Sequence, residues 1–97
     1  MAQIFIRPLA QNDLLDIWNY RSQFSEGKAN SLIIQFDQKF QLLADNKHMG
    51  RKRTEFSFKK IRSFPLEQYV IFYIPTSKGI EVIRILHAKR DINQLIP

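Results

Sequence analysis

The residues best equipped for chemistry in this chain are basic and crowd its second half. In residues 79–91, reading GIEVIRILHAKRD, Arg84, His87 and Arg90 recur every third position. An imidazole that titrates near neutrality can move a proton, and guanidinium groups beside it can stabilise a phosphate or an oxyanion. Upstream, Arg51, Lys52, Arg53, Lys59, Lys60 and Arg62 surround a single acid, Glu55. Charge concentrated in this way neutralises phosphates or seats on an acidic protein, and it is also what a solvated loop and strand face looks like. Phe56, Phe58 and Phe64 stand among these charges. Aromatics alternating at period two read first as core, and only second as platforms for stacked bases.

Each cation also has a plain structural explanation. Strand alternation places Arg84 on one face with Ile80, Val82 and Leu86, opposite Ile83, Ile85 and His87. Unpaired on an apolar face it would be costly, so Glu55, Glu67 or Glu81 is expected as an ion-pair partner. A lone histidine at a strand end is more often a hydrogen-bonded structural residue than a catalyst. With only His48 and His87, no cysteine and no suitably spaced carboxylate, no metal constellation exists. There is no glycine-rich phosphate loop or nucleophile elbow, and no cofactor is expected. Ser63 reads as a strand or turn residue.

The elements that must position these groups follow from periodicity. Residues 3–7 form a strand candidate closed by Pro8. Leu14, Ile17, Trp18, Arg21 and Phe24 share one helical face, with Asn12 or Asp13 as cap and Gly27 as stop. A second helix carries Ala29, Leu32, Ile33, Phe36, Phe40 and Leu43 on one stripe. Residues 45–50 are loop, and residues 51–60 are irregular or a weak strand around Phe56 and Phe58. Strands are expected at 61–64, ending at Pro65, then at 69–74 and 80–87. The middle one is apolar at odd and even positions, as a strand covered on both faces should be. The order β-α-α-β-β-β predicts an α+β fold, a helical hairpin packed on a mostly antiparallel sheet.

At 97 residues the chain is expected to form one domain over residues 1–97 and to bury about 60 to 65% of its unfolded surface. The absence of cysteine excludes a disulfide framework and is compatible with a reducing compartment. The apolar start is too short for a signal peptide, and no stretch approaches the roughly 20 apolar residues of a membrane span, so a cytoplasmic protein is expected. Net charge is +6, with five basic and five acidic residues up to residue 47 and ten against four beyond it. That asymmetry points to an anionic partner surface.

Several of these residues, in this order, resemble the ParE/RelE superfamily of bacterial toxins, and the ParE type in particular. The opening resembles it in Arg7-Pro8, Ala10, Asp13-Leu14, Ile17-Trp18 and Tyr20. The close does so in Gly50-Arg51, Arg62-Ser63, Tyr69 through Tyr73, Ile83 through His87, and Arg90-Asp91. The resemblance implies the toxin of a type II toxin–antitoxin pair. ParE-like toxins poison DNA gyrase and block replication, whereas RelE-like members cut messenger RNA on the ribosome with lysines, arginines and a C-terminal tyrosine. Lys60 and Arg90 match two basic positions of the ribonucleases. Phe58, Val70 and Ile96 stand where lysine, arginine and tyrosine are usual, and none of them can transfer a proton or stabilise charge.

The resemblance therefore implies a binding poison of gyrase, not an enzyme, with Arg51, Arg53, Lys60, Arg62, Arg84, His87 and Arg90 as the target-binding surface. The alternative is a ribonuclease using Lys60, Arg62, Arg84, His87 and Arg90. A third possibility is an inactive member kept as an antitoxin-binding module. The implied partners are gyrase and a cognate ParD-like antitoxin, assembled as a toxin–antitoxin hetero-oligomer. Leu15, Trp18, Tyr20 and Phe24 are the candidate antitoxin groove, although core packing is the competing role for Trp18 and Phe24.

Overall fold

The computed structural model describes residues 2–56 and 60–90. Its first strand, β1, spans Gln3–Ile6 and gives way at once to helix α1, Pro8–Ser22. The helix starts more than a turn before the expected cap. Arg7 is the N-cap, and Pro8 fits the first helical turn because its missing N–H has no intrahelical partner to lose. Asp13 is thus freed from capping. Helix α2 spans Glu26–Asp45, and the Ser25 hydroxyl caps it by accepting from the Lys28 N–H at 3.2 Å. Gly27 does not stop α1 but lies in the first turn of α2, where the Ser25 cap dictates the helix start. Phe24 falls beyond α1 and off its stripe, 74% exposed.

The apolar stripe of α2 is as predicted, with Ala29, Leu32, Phe36, Phe40 and Leu43 buried and Ile33 packed against them. Strands β2 (Arg51–Lys52), β3 (Arg62–Leu66), β4 (Tyr69–Pro75) and β5 (Gly79–His87) complete a five-stranded sheet in the order β1-β5-β4-β3-β2. β1 runs parallel to β5 and every other pairing is antiparallel. The α+β class and the packed helical hairpin stand, with β2 added to the four strands expected. Phe58 lies outside the described residues.

β3 does not end before Pro65 but runs through it to Leu66. β2 pairs only with Arg62 and Ser63, so among the described residues no strand covers Pro65 on that side, where a strand tolerates proline. Glu67 and Gln68 form the tight turn into β4, with Glu67 in the left-handed region at φ 52°.

β4 is covered on both faces, as its sequence requires. Tyr69, Ile71 and Tyr73 join Phe36, Phe40, Leu43, Ile80, Val82 and Ile85 in the helix-side core. Phe72 packs on the other side with Phe56, Ile61, Ile83 and Leu86. The alternation along β5 breaks where Tyr73 pairs with Val82 while Phe72 pairs with Arg84, a bulge that inserts one extra residue. Ile85 therefore joins Ile80 and Val82, and Leu86 joins Ile83, reversing the faces that strict alternation assigns them. Arg84 pairs across the strands with Phe72, off the face of Val82, and its side chain reaches α1. Its partner is Asp13 of α1, not Glu55, Glu67 or Glu81.

Candidate functional site

A basic cleft of about 560 Å³ opens where the turn after α2 meets β2, β3 and the end of β4. Its shape depends on glycine and tyrosine. The buried Tyr73 hydroxyl accepts from the Gly50 N–H at 2.8 Å and donates to the Lys47 carbonyl at 3.0 Å. A side chain on residue 50 would place its Cβ 2.4 Å from that hydroxyl, so only glycine allows this approach. Arg62 ties down the same turn, donating through Nη1 to the carbonyls of His48 (2.9 Å) and Gly50 (2.7 Å). Burial raises the Tyr73 pKa, while the Gly50 N–H and the positive charge of Arg62 pull the other way.

The turn so fixed presents cations. Lys47, His48, Lys52, Lys60 and Arg62 line the cleft with Pro75, Thr76 and Ser77. Lys47 Nζ donates across it to the Thr76 carbonyl at 2.7 Å. Of the expected target-binding residues, the cleft brings together Lys60 and Arg62. It adds Lys47, His48 and Lys52; the run from Arg51 to Arg62 points to Lys52, whereas nothing local marks Lys47 and His48 until β4 is placed beside them.

The remaining expected cations lie elsewhere. Arg51 is exposed on β2. Arg53 is engaged inside the fold. It donates to Glu55 (3.0 Å) and Ser63 (3.1 Å), and its guanidinium lies over the rings of Phe56 and Phe72 at 5.7 and 5.5 Å. Arg84 makes a two-pronged pair with Asp13, Nε to Oδ2 at 2.7 Å and Nη2 to Oδ1 at 2.9 Å, which raises the arginine pKa. His87 packs edge-on against Tyr69 at 5.6 Å, and its Nδ1 accepts from the Lys89 N–H. His87 and Arg90 line a separate depression of about 440 Å³ with Asp16, Tyr20 and Gln68.

The two basic regions occupy opposite ends of β4. Arg62 pairs with Tyr73 and His87 with Tyr69. Four residues of strand separate those positions, about 13 Å at 3.3 Å per residue, with buried Ile71 and the helix-side core between them. A general acid or base must lie within one hydrogen bond, or one water, of the proton it moves. His87 and Arg62 therefore do not share a reaction centre. Among the described residues, no group of three or more His, Asp or Glu side chains could hold a metal ion.

The helical hairpin presents an apolar groove of about 520 Å³ lined by Leu14, Leu15, Trp18, Asn30, Ile33 and Ile34. Trp18 is anchored by its Nε1, which donates to Asn30 Oδ1 at 2.8 Å. Leu15 and Ile34 are 57% and 56% exposed across the groove. Tyr20 and Phe24 are also exposed, but they pair edge-to-face with each other at 5.4 Å, and Tyr20 lines the depression near His87. Leu15 and Trp18 thus share a groove that Tyr20 and Phe24 do not line. Asn30 and Ile34 are groove residues that sequence reasoning misses; the signal for Ile34 is the run Leu32, Ile33 and Ile34, three consecutive apolar residues where one buried stripe requires fewer.

Residues 4–92 match the family model described as ParE toxin of type II toxin-antitoxin system, parDE. The chain belongs to the ParE toxin family. Among solved structures it is similar to one described as the chromosomal ParDE toxin–antitoxin system from P. aeruginosa. The TM-score is 0.75 at 18% identity, covering 92% of this chain and 98% of that one. At that identity the likeness concerns the fold, which is shared nearly end to end. No curated protein matches the sequence. In this ParE-family chain Val70 is half-buried against the core cluster around Phe72. Phe58 and Ile96, the other two substituted positions, lie outside the described residues. No helix among the described residues is long and apolar enough to cross a membrane.

Proposed function

We propose that this ParE-family toxin acts in the cytoplasm by binding DNA gyrase and blocking its cycle, without breaking a bond itself, and that a ParD-like antitoxin neutralises it in a hetero-oligomeric complex. The observation that carries the proposal is the dispersal of the groups a ribonuclease would need. Lys60 and Arg62 stand at one end of β4, His87 and Arg90 at the other, and Arg84 is held by Asp13. Scattered cations can bind an extended partner surface, but they cannot act together on one phosphodiester. The antitoxin is assigned to the groove between α1 and α2, where Trp18 and the exposed Leu15 and Ile34 provide an aromatic and aliphatic anchor site.

The test uses purified toxin with gyrase and relaxed plasmid. Loss of supercoiling, or accumulation of cleaved DNA complexes, is the expected result, and unchanged supercoiling at high molar excess rejects the proposal. In a translating extract, transcripts should remain intact. Cleavage there that disappears on His87→Ala would instead establish a ribonuclease. Expression without the antitoxin should arrest growth, and normal growth would leave only the inactive antitoxin-binding module.

A further inference from the structure

The cleft around Lys47, Lys52, Lys60 and Arg62 has a composition that a protein interface alone does not call for. Among its described lining residues there is no acid and no Phe, Tyr or Trp. Interfaces between proteins are anchored by aromatic and aliphatic side chains buried at their centre, and lysine is depleted there. Contacts to a nucleic-acid backbone draw on lysine, arginine, serine and threonine, the types that dominate this lining. Single-stranded nucleic acid is usually held by stacking on several aromatic faces, and His48 alone does not make such a platform.

Two of the cations are pre-set. Arg62, which lines the cleft, uses Nη1 to hold the carbonyls of His48 and Gly50, and this fixes the plane of its guanidinium. Lys47 is held at the Thr76 carbonyl with further N–H donors remaining. Lys52 and Lys60 are exposed at the cleft walls.

We propose that this cleft binds the sugar–phosphate backbone of duplex DNA without regard to sequence, so that the toxin grips the DNA segment gyrase holds as well as gyrase itself. The inference rests on the gyrase reading only for the source of the DNA. Lys47, Lys52 and Lys60 each neutralise a phosphate, and Arg62 orients the backbone between them.

The experiment measures binding of the full chain to a fluorescent duplex of arbitrary sequence by anisotropy as salt is raised. With three phosphates neutralised, affinity should fall about forty-fold between roughly 50 and 200 mM salt. The Lys52→Gln/Lys60→Gln double variant should bind more weakly, and its affinity should fall only about four-fold over the same range. Both lysines are exposed, and an unchanged melting temperature checks that the variant is folded. A single strand of equal length should bind less tightly than the duplex.

No duplex binding by the wild type at low salt overturns the proposal, as does binding that the double variant leaves unaltered. Equal binding of polyglutamate, with the same loss in the variant, also overturns it and makes the cleft a seat for an acidic protein. Capture of DNA-free gyrase is scored separately. Gyrase capture without duplex binding rejects this inference alone, and duplex binding without gyrase capture supports the cleft while rejecting the gyrase reading.

Discussion

Asp13 and Arg84, 71 residues apart in sequence, form a two-pronged ion pair that joins α1 to β5, and the same Asp13 carboxylate accepts the Ile85 N–H at 2.9 Å. β1 pairs only with β5 residues up to Val82, so beyond that point no strand among the described residues lies beside the β5 edge. Asp13 stands in for one, satisfying a backbone donor that would otherwise lack a partner. Both side chains are largely buried, 11% and 15% exposed. Removing Arg84 takes from the largely buried Asp13 carboxylate its ion-pair partner. Arg84→Ala should therefore cost about 3 kcal/mol and lower Tm by at least about 12 °C. Asp13→Ala, which removes the acceptor of the Ile85 N–H, should also be destabilising. Thermal melting that stays within about 3 °C of wild type would contradict this.

The groove between the helices makes a separable prediction. Leu15→Lys and Ile34→Lys alter exposed positions and should leave folding and growth arrest intact. They should weaken antitoxin binding about thirty-fold or more, the effect of losing about 2 kcal/mol at an interface centre. Tyr20→Ala and Phe24→Ala, away from the groove, should have smaller effects. Titration calorimetry with the antitoxin measures all four. Equal losses at both sets would place the antitoxin along the whole of α1.

Gly27 offers a gain in stability. It is exposed in the first turn of α2 and has a negative φ, and an added Cβ would meet nothing nearer than the Ser25 hydroxyl at 3.8 Å. Gly27→Ala should stabilise the protein by about 0.5 kcal/mol, chiefly by restricting the unfolded chain, and raise Tm by roughly 2 to 4 °C. A lower Tm would show that Gly27 serves something other than the helix.

Tyr73 sets a pH limit. Its pKa is raised in the folded protein above the ordinary value of 10.0, so the folded state holds the phenolic proton more tightly than the unfolded chain does. That contribution is complete below about pH 10 and is lost as pH rises from there through the folded value. Chemical denaturation should show the wild type losing stability above about pH 10 more steeply than Tyr73→Phe. Near neutrality that variant should itself be about 1 to 3 kcal/mol less stable, because the buried Gly50 N–H loses its acceptor. Parallel pH profiles for the two proteins would refute the assignment.

How legible the fold was depended on which signals were local. The α2 stripe and the doubly apolar β4 announced themselves, because burial imposes period 3.6 on one and removes alternation from the other. The partner of Arg84 was not legible. Its identification needed two things: the bulge that turns Arg84 off the apolar face it would otherwise share with Val82, and an early start to α1 that releases Asp13 from capping. The basic cleft was half visible. Lys52, Lys60 and Arg62 lie in one charged run, but Lys47 and His48 join them through long-range contacts, the Tyr73 hydroxyl to the Lys47 carbonyl across 26 residues and Arg62 to the His48 carbonyl across 14. Leu15 and Trp18 are legible on the hairpin, while Ile34 is marked only by the surplus of apolar residues at Leu32, Ile33 and Ile34.

The sheet order has a consequence for how the molecule is made. β5 lies between β1 and β4, so Gln3 finds its partner only at Gly79, and neither β1 nor α1 can settle on the sheet until β5 has been synthesised. The hairpin of β3 and β4 can form early, but closure waits for a contact spanning most of the chain. Such long-range pairing slows folding, toward the millisecond-to-second range of sheet-dominated proteins. The toxin should therefore acquire its Asp13–Arg84 link only once β5 has been synthesised. A newly made antitoxin would meet it first as a chain still closing.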